Sequence, residues 1–599
     1  MNKSKHRNTR SYACTTMIVG KDATADGSVI VAHSDDDVSD ARLIHVPRRP
    51  IAKGAMRNVY YDDCSLGSYK GYNCNDIRRY IGKDRGPGYD TIEKDKADYR
   101  NRYHLNPQLC YNSRPIGQIP EDDSMKETFA YFDGSYGVMN ERNLMIGECT
   151  CGARVQPYPD PVKRLFYSAE LSRVALERCT KARDAVLLMG SLILQYGYYG
   201  TGETLLVGDA DEAWVMEMCG YDMDGTDGLW VARRVPDDEF FVAANEFRIR
   251  DIFINANDER SANLSNGRYF KSAVAAGAKA EDADVLYSAN LFKVCEDKGW
   301  IEKGAEMLDW LPAVSYGEYS HPYYSLRRVW RAFSKVAPRV FLPAKVTDGY
   351  TRAYPFSLKP EKKLSVLDVA AVYRDHYEGT AFDMTVGPAA GPFRNPVRYE
   401  GNPDQGDSFN LNTYKLNGAW ERPISIYRCG MFWINQAKAF KDRTIGVSWN
   451  ACDRPAANCL MPLFTQMETL PSKLQTMNVL EFEFNGPSAW WAFNFVANLS
   501  NLNYEYMMKE VTAVQKEMEA RAEAMVNHAM RSQDTSELSS LCAGHVENVM
   551  NQWWQLATRL IVKFNDGCVT TGPNSIMQPI DYPHEWLQRA GYCNGPTTY

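Results

Sequence analysis

The sequence predicts an α+β fold built of stacked layers, and three observations carry that expectation. Two short strands rich in β-branched residues, Cys14–Val19 and residues 29–33, read as an opening hairpin. Strands, then two helices, then more strands follow, without the regular strand–helix alternation of a doubly wound parallel sheet. Residues 488–565 close the chain with helical periodicity.

Taken in order, the hairpin turns at Asp26-Gly27-Ser28, where Gly27 can take the positive φ of a tight reversal. Cys14 opens the first strand, and Asp35 and Asp36 lie just past the second, so antiparallel pairing brings thiol and carboxylates side by side. Residues 47–125 are polar and aromatic, with loop signals such as Arg85-Gly86-Pro87-Gly88, and read as an insertion whose many tyrosines favour order. Strand pattern returns at 129–132, 136–141 and 144–147, the last leading to Thr150. Two helices are expected within 161–196, where Leu165, Ala169 and Leu171 and then Ala185, Leu188 and Leu192 recur at helical spacing. Strands at 205–215 and 229–234 lead through 240–244 to Asn245. Further strands are expected at 424–427 and 444–449, with helices at 490–499, 504–528 and 537–565. The Met and Trp stripe of these helices reads as core packing.

Composition excludes several function classes. The 599 residues are 44% hydrophobic and 24% charged, an ordinary globular balance. The formal charge of −7 offers no basic patch for phosphates, so no nucleic-acid partner is expected. No run approaches the roughly 18 apolar residues of a membrane span, and residues 1–13 lack the apolar core of a signal peptide. Fifteen scattered cysteines suggest reduced thiols and a cytoplasmic location. Cys149-Thr150-Cys151 has no second ligand pair or nearby histidine at metal spacing, so no metal is expected. The oligomeric state stays open, a homo-oligomer included.

Cys14 is the candidate nucleophile. Were residues 1–13 removed, its thiol would gain a neighbouring α-amine that titrates near about 7.7–8.0 and can accept its proton. Position and residue type alone leave open a plain buried strand cysteine behind a frayed terminus.

Residues 14–28 read C-T-T-x-x-V-G-K-x-A-x-x-D-G-S, and residues 32–36 read A-x-S-x-D. This pattern resembles the start of the dipeptidase A family of N-terminal nucleophile (Ntn) hydrolases, which are related to secernins and more distantly to bile-salt hydrolases and penicillin V acylases. G-V-x-N-E at 137–141, Y-P-F at 354–356 and R-D-H-Y-E-G-T at 374–380 continue the resemblance. It implies a four-layer αββα sandwich, a single domain over 14–599 after loss of a 1–13 propeptide, and hydrolysis of short peptides without a cofactor. It also implies roles: Cys14 as nucleophile, Asp36 holding its amine (with Asp35 as rival), and Asn245 and Thr150 as oxyanion donors. Arg328, with Arg327 as rival, matches an active-site arginine. His33, assigned to substrate binding, stands where many relatives carry arginine. A histidine gives positive charge only when protonated, so activity is expected to fall more steeply above neutral pH than in an arginine-bearing relative. Two other readings stay open: an Ntn amidase acting on N-acyl substrates, and a secernin-like interaction protein.

Overall fold

A computed structural model describes residues 14–36, 41–61, 85, 115–253, 284–317, 324–398, 421–440, 443–475, 484, 486, 488–529, 536–572 and 577–592. The expected 1–13 propeptide and most of the 47–125 insertion lie outside these residues.

The strands that build the two main sheets are, in chain order, β1 (Cys14–Val19), β2 (Val29–Asp35), β3 (Ile44–Val46), β4 (Tyr131–Asp133), β5 (Gly137–Asn140) and β6 (Met145–Cys151). They continue with β7 (Gly202–Gly208), β8 (Ala213–Cys219), β9 (Leu229–Val235), β10 (Phe240–Ala243) and β11 (Val285–Tyr287). The last four are β12 (Ser357–Leu358), β13 (Met431–Ala439), β14 (Thr444–Cys452) and β15 (Met461–Phe464). One sheet runs β12-β10-β1-β2-β13-β14-β15, the other β11-β9-β8-β7-β6-β5-β4-β3, and neighbours in both are antiparallel.

The sheets pack face to face, with helices outside. Helices α1 (Ser168–Arg178) and α2 (Ala182–Tyr196) cover the eight-stranded sheet. Helices α3 (Leu326–Val336), α4 (Val366–Tyr373), α5 (Ala489–Ser500), α6 (Tyr504–Ala529) and α7 (Ser536–Lys563) lie on the side of the seven-stranded sheet. This is the expected αββα layering. Because each central strand is covered on both faces, all six residues of β1 and all seven of β2 are buried, and β1 reads as an apolar run rather than an alternation. The sheets interlock at Val31, which fits against Gly147 and Gly208. A Cβ on Gly208 would meet Val31 Cγ2 at 2.7 Å.

Two expectations are refined. The β2 strand runs on through Asp35, so that acid belongs to the ladder and stands opposite Cys14. No strand forms at 424–427. Ile424 and Ile426 are buried in an irregular segment whose Ser425 N–H donates to the Asp375 carbonyl at 3.1 Å, and the strand begins only at Met431, after Arg428-Cys429-Gly430. Within 47–125, Met56–Tyr60 and Pro115–Pro120 pair as a two-stranded antiparallel sheet outside both main sheets. Among the described residues no helix is long and apolar enough to cross a membrane.

Candidate active site

The site forms where β1 begins. The β1–β10 register pairs Thr16 with Ala243, and continuing it by two residues sets Asn245 beside Cys14. Asn245 sits at φ 63°, a left-handed conformation that asparagine tolerates better than other side-chain-bearing residues. That bend turns its amide back across the strand ends. Its Oδ1 accepts from the Cys14 N–H at 3.2 Å, and its Nδ2 donates to the Thr150 carbonyl at 2.8 Å.

Arg328, in the first turn of α3, is fully buried and spans the same point. It donates to the Cys14 carbonyl (2.8 Å), Thr15 Oγ1 (2.9 Å), the Ala244 carbonyl (3.2 Å) and Asn245 Oδ1 (2.8 Å), while its Nε holds the Tyr324 carbonyl at 2.7 Å. Two cationic or amide donors therefore face Asn245 Oδ1, which fixes the orientation of that amide. The rival Arg327 points elsewhere, to Glu421 at 3.0 Å. Burial, and then the nearby Arg422 charge, draw the Arg328 guanidinium below its ordinary range.

The Cys14 thiol projects toward the opposite sheet. Its Sγ–H donates to Glu148 Oε2 on β6 at 3.2 Å, and Thr150 Oγ1 donates to Glu148 Oε1 at 2.7 Å. His33 Nε2 lies 3.6 Å from Glu148 Oε2, its buried ring edge-on to Trp433 at 5.3 Å. Burial first, and then the charges of Glu148 and Asp35, push the thiol well above the ordinary cysteine range, so the resting group is a neutral thiol. A neutral thiol attacks only if a nearby group takes its proton.

Asp36, fully buried, pairs with Arg422 Nη2 at 2.6 Å, and its carbonyl accepts from Arg428. The Arg422 guanidinium also borders a narrow cleft lined by His376, Arg398, Glu421, Ser425 and Tyr427. Burial alone would lower the Arg422 guanidinium, but the Asp36 charge overrides it and raises it.

The structure brings Cys14, Asn245, Arg328 and Thr150 together by hydrogen bonds and sets His33 beside Glu148; Asp36, one residue past the ladder partner of Cys14, acts on the thiol through its charge. Sequence reasoning missed Glu148, Arg422 and Cys149, whose Sγ accepts the Asn245 N–H at 2.9 Å. Cys14, His33 and Glu148 also present one sulfur, one nitrogen and one oxygen within 4.8 Å of one another, a donor set that could hold a borderline-soft divalent cation.

The chain is 23% identical over 558 residues to a probable dipeptidase A of Streptococcus pyogenes serotype M3 (strain SSI-1), covering 90% of this chain and 96% of that one. It is 24% identical over 534 residues to a probable dipeptidase of Latilactobacillus sakei (86% and 89% covered), and 24% identical over 500 residues to dipeptidase A of Lactobacillus helveticus (82% of each). A solved penicillin V acylase from Agrobacterium tumefaciens is 11% identical at a TM-score of 0.27, covering 76% of this chain and 87% of that one. That likeness is too weak to bear on the fold, which rests on the two sheets and their helices. The family Peptidase family C69 matches residues 13–61 and 133–517, most of the sequence, and the chain belongs to it.

Proposed function

We propose that the chain hydrolyses short peptides as an Ntn enzyme, with Cys14 made chain-leading by cleavage of the Ala13–Cys14 bond. It is a cysteine-type dipeptidase, as its family and its near full-length dipeptidase relatives support. One observation carries the finer reading: the backbone nitrogen of Cys14, Asn245 and Arg328 meet where that nitrogen would become a free amine.

In the mature chain the α-amine takes the Sγ proton as sulfur attacks the substrate carbonyl. The Asn245 amide, oriented by the Thr150 carbonyl and by Arg328, is the proposed donor to the tetrahedral oxyanion; the Thr150 region supplies the second donor. Arg328 positions Asn245 and the Cys14 carbonyl. Asp36, oriented by Arg422, places negative charge near the amine and favours its cationic form after proton transfer. The amine of the leaving residue departs protonated, water attacks the thioester, and the thiol returns. His33 supplies its charge to Glu148 and the thiol only when protonated, in contrast to a permanent arginine.

Intact-mass measurement of purified protein tests this reading, together with alkylation and turnover of unblocked dipeptides against N-acyl amides. The expected chain begins at Cys14, loses dipeptide hydrolysis on alkylation of that thiol, and prefers dipeptides. A chain that keeps its first thirteen residues while hydrolysing dipeptides would overturn it.

A further inference from the structure

We infer that Glu148 is the proton acceptor through which Cys14 cuts its own preceding bond, before an α-amine exists to do so. The inference rests on the Ntn reading above. In the unprocessed chain the Cys14 nitrogen is an amide: it has no basicity, and its hydrogen is given to Asn245 Oδ1. The base proposed for the mature enzyme is therefore missing at the step that creates it.

The Glu148 carboxylate is in hydrogen-bond contact with the thiol, at 3.2 Å. It is fully buried in the middle of β6, reaching Cys14 across the interface of the two sheets, so its approach is set by the stacking of two hydrogen-bonded ladders. Thr150 Oγ1 fixes its other oxygen, leaving Oε2 directed at the sulfur. Two further acids stand near: Asp35, opposite Cys14 in the ladder, and Asp36, committed to Arg422; the thiol gives its hydrogen bond to Glu148.

The step balances without any outside reagent. Oε2 takes the Sγ proton as sulfur attacks the carbonyl carbon of Ala13, whose π electrons move to oxygen. The tetrahedral centre collapses, the C–N bond breaks, and the departing Cys14 nitrogen takes the proton from the Glu148 carboxyl. The products are a thioester between Ala13 and Sγ and a free α-amine. Water then cleaves the thioester, releasing residues 1–13 as a carboxylic acid and restoring the thiol. From there the proposed α-amine can take the proton, and the step no longer needs Glu148.

The experiment follows the mass of the full chain with time for wild type, Glu148→Gln and Glu148→Asp. The same Glu148→Gln change is also made in a chain whose initiator Met directly precedes Cys14, so that Met removal exposes the amine without self-cleavage. Glu148→Gln should keep its leader about 100-fold longer or more, the typical worth of a positioned base, with Glu148→Asp in between. Starting at Cys14 should restore dipeptide hydrolysis that the leader-bearing Glu148→Gln chain lacks. Leader loss from Glu148→Gln at the wild-type rate overturns the inference. So does a folded, Cys14-initiated Glu148→Gln chain that hydrolyses no faster than its leader-bearing counterpart. A wild-type chain that never loses its leader yet turns over dipeptides refutes the Ntn reading itself, a separate outcome.

Discussion

Two buried clusters in this molecule use the same residue types to opposite effect. Outside the eight-stranded sheet, Arg57 binds Glu177 at 2.6 Å and Glu170 at 3.1 Å, Arg85 binds Glu170 at 2.5 Å, and Arg173 binds Asp133 at 2.9 Å and Glu170 at 3.2 Å. Three carboxylates meet three guanidiniums, all buried. Burial alone would raise the acids, but Arg57 and Arg85 more than cancel it, holding Glu177 down at about 2 and Glu170 lower still. In the second cluster Arg328 and Arg422 are just as buried, yet they spend their hydrogens on carbonyls, Asn245 and Asp36. Glu148 is left facing a thiol, a hydroxyl and an imidazole. A buried glutamate clamped by arginine is a staple; the same glutamate against a thiol can handle a proton. The first cluster pins Arg57, on the strand Met56–Tyr60, and Arg85 onto α1, and the second holds the chain end where chemistry is proposed.

The sharpest way to break this contrast is to remove one member from each cluster. Cys14→Ala should lower kcat by at least about 10,000-fold, as loss of a nucleophile does elsewhere, while the protein unfolds cooperatively near the wild-type temperature. Glu177→Gln should do the reverse. Leaving Arg57 buried and half-paired should cost about 3–5 kcal/mol of stability, read by denaturant titration, with kcat per folded molecule unchanged. Its pH signature follows from the depressed carboxyl. Folded Glu177 titrates at about 2 against an ordinary 4.5, so its stabilisation is present above about 4.5 and lost as pH falls toward 2. Wild type should lose stability through that window more steeply than Glu177→Gln.

How much of this was legible in the sequence differs by kind of contact. The β1–β2 hairpin could be read because its signals are local: β-branched runs and a glycine turn. Asn245 was legible through the resemblance, since V-A-A-N-E-F matches the family's strand-end asparagine. The choice between Arg327 and Arg328 could not, since both lie in the first turn of α3 and only docking of that helix decides which one is swallowed. Glu148 went unread because its partners, Cys14 and His33, reach it through sheet stacking rather than through any spacing along the chain. Its signal was nonetheless present: an acid inside the apolar run M-I-G-E-C-T-C, with Thr150 as its period-two neighbour on one face. Arg422 lies 386 residues from the Asp36 it holds, beyond the reach of any pattern. The false strand at 424–427 was an apolar alternation too short to outweigh its docking against Asp375.

Asn245 offers a finer test, because its backbone and its amide can be separated. Asn245→Ala removes the proposed oxyanion donor, worth about 100- to 1,000-fold in kcat, and also forces a Cβ-bearing residue without a polar side chain into φ 63°. Asn245→Gly accepts that φ freely but lacks the amide. The glycine variant should therefore recover thermal stability relative to alanine and recover none of the lost kcat. If it regained activity in step with stability, the amide would be positioning structure only.

The smallest effect expected lies in a third buried acid, which has neither an arginine clamp nor a thiol. Glu217 on β8 is fully buried and its Oε1 accepts the Arg248 and Ile249 backbone N–H groups at 2.5 and 3.1 Å. Burial outweighs those donors and raises the carboxyl to about 8. Because the folded value exceeds the unfolded one, the neutral acid is the form that the fold prefers. Its contribution is complete below about 4.5 and is lost as pH rises through 8. Glu217→Gln keeps the acceptor oxygen and cannot ionise, so its melting temperature should match wild type near pH 5 and exceed it by a few degrees at pH 9. Equal melting temperatures at both pH values would mean that Glu217 is already charged in the fold. Burial without an arginine clamp would then not be what separates the three acids, and the contrast between staple and reagent would have to rest on contacts with the thiol alone.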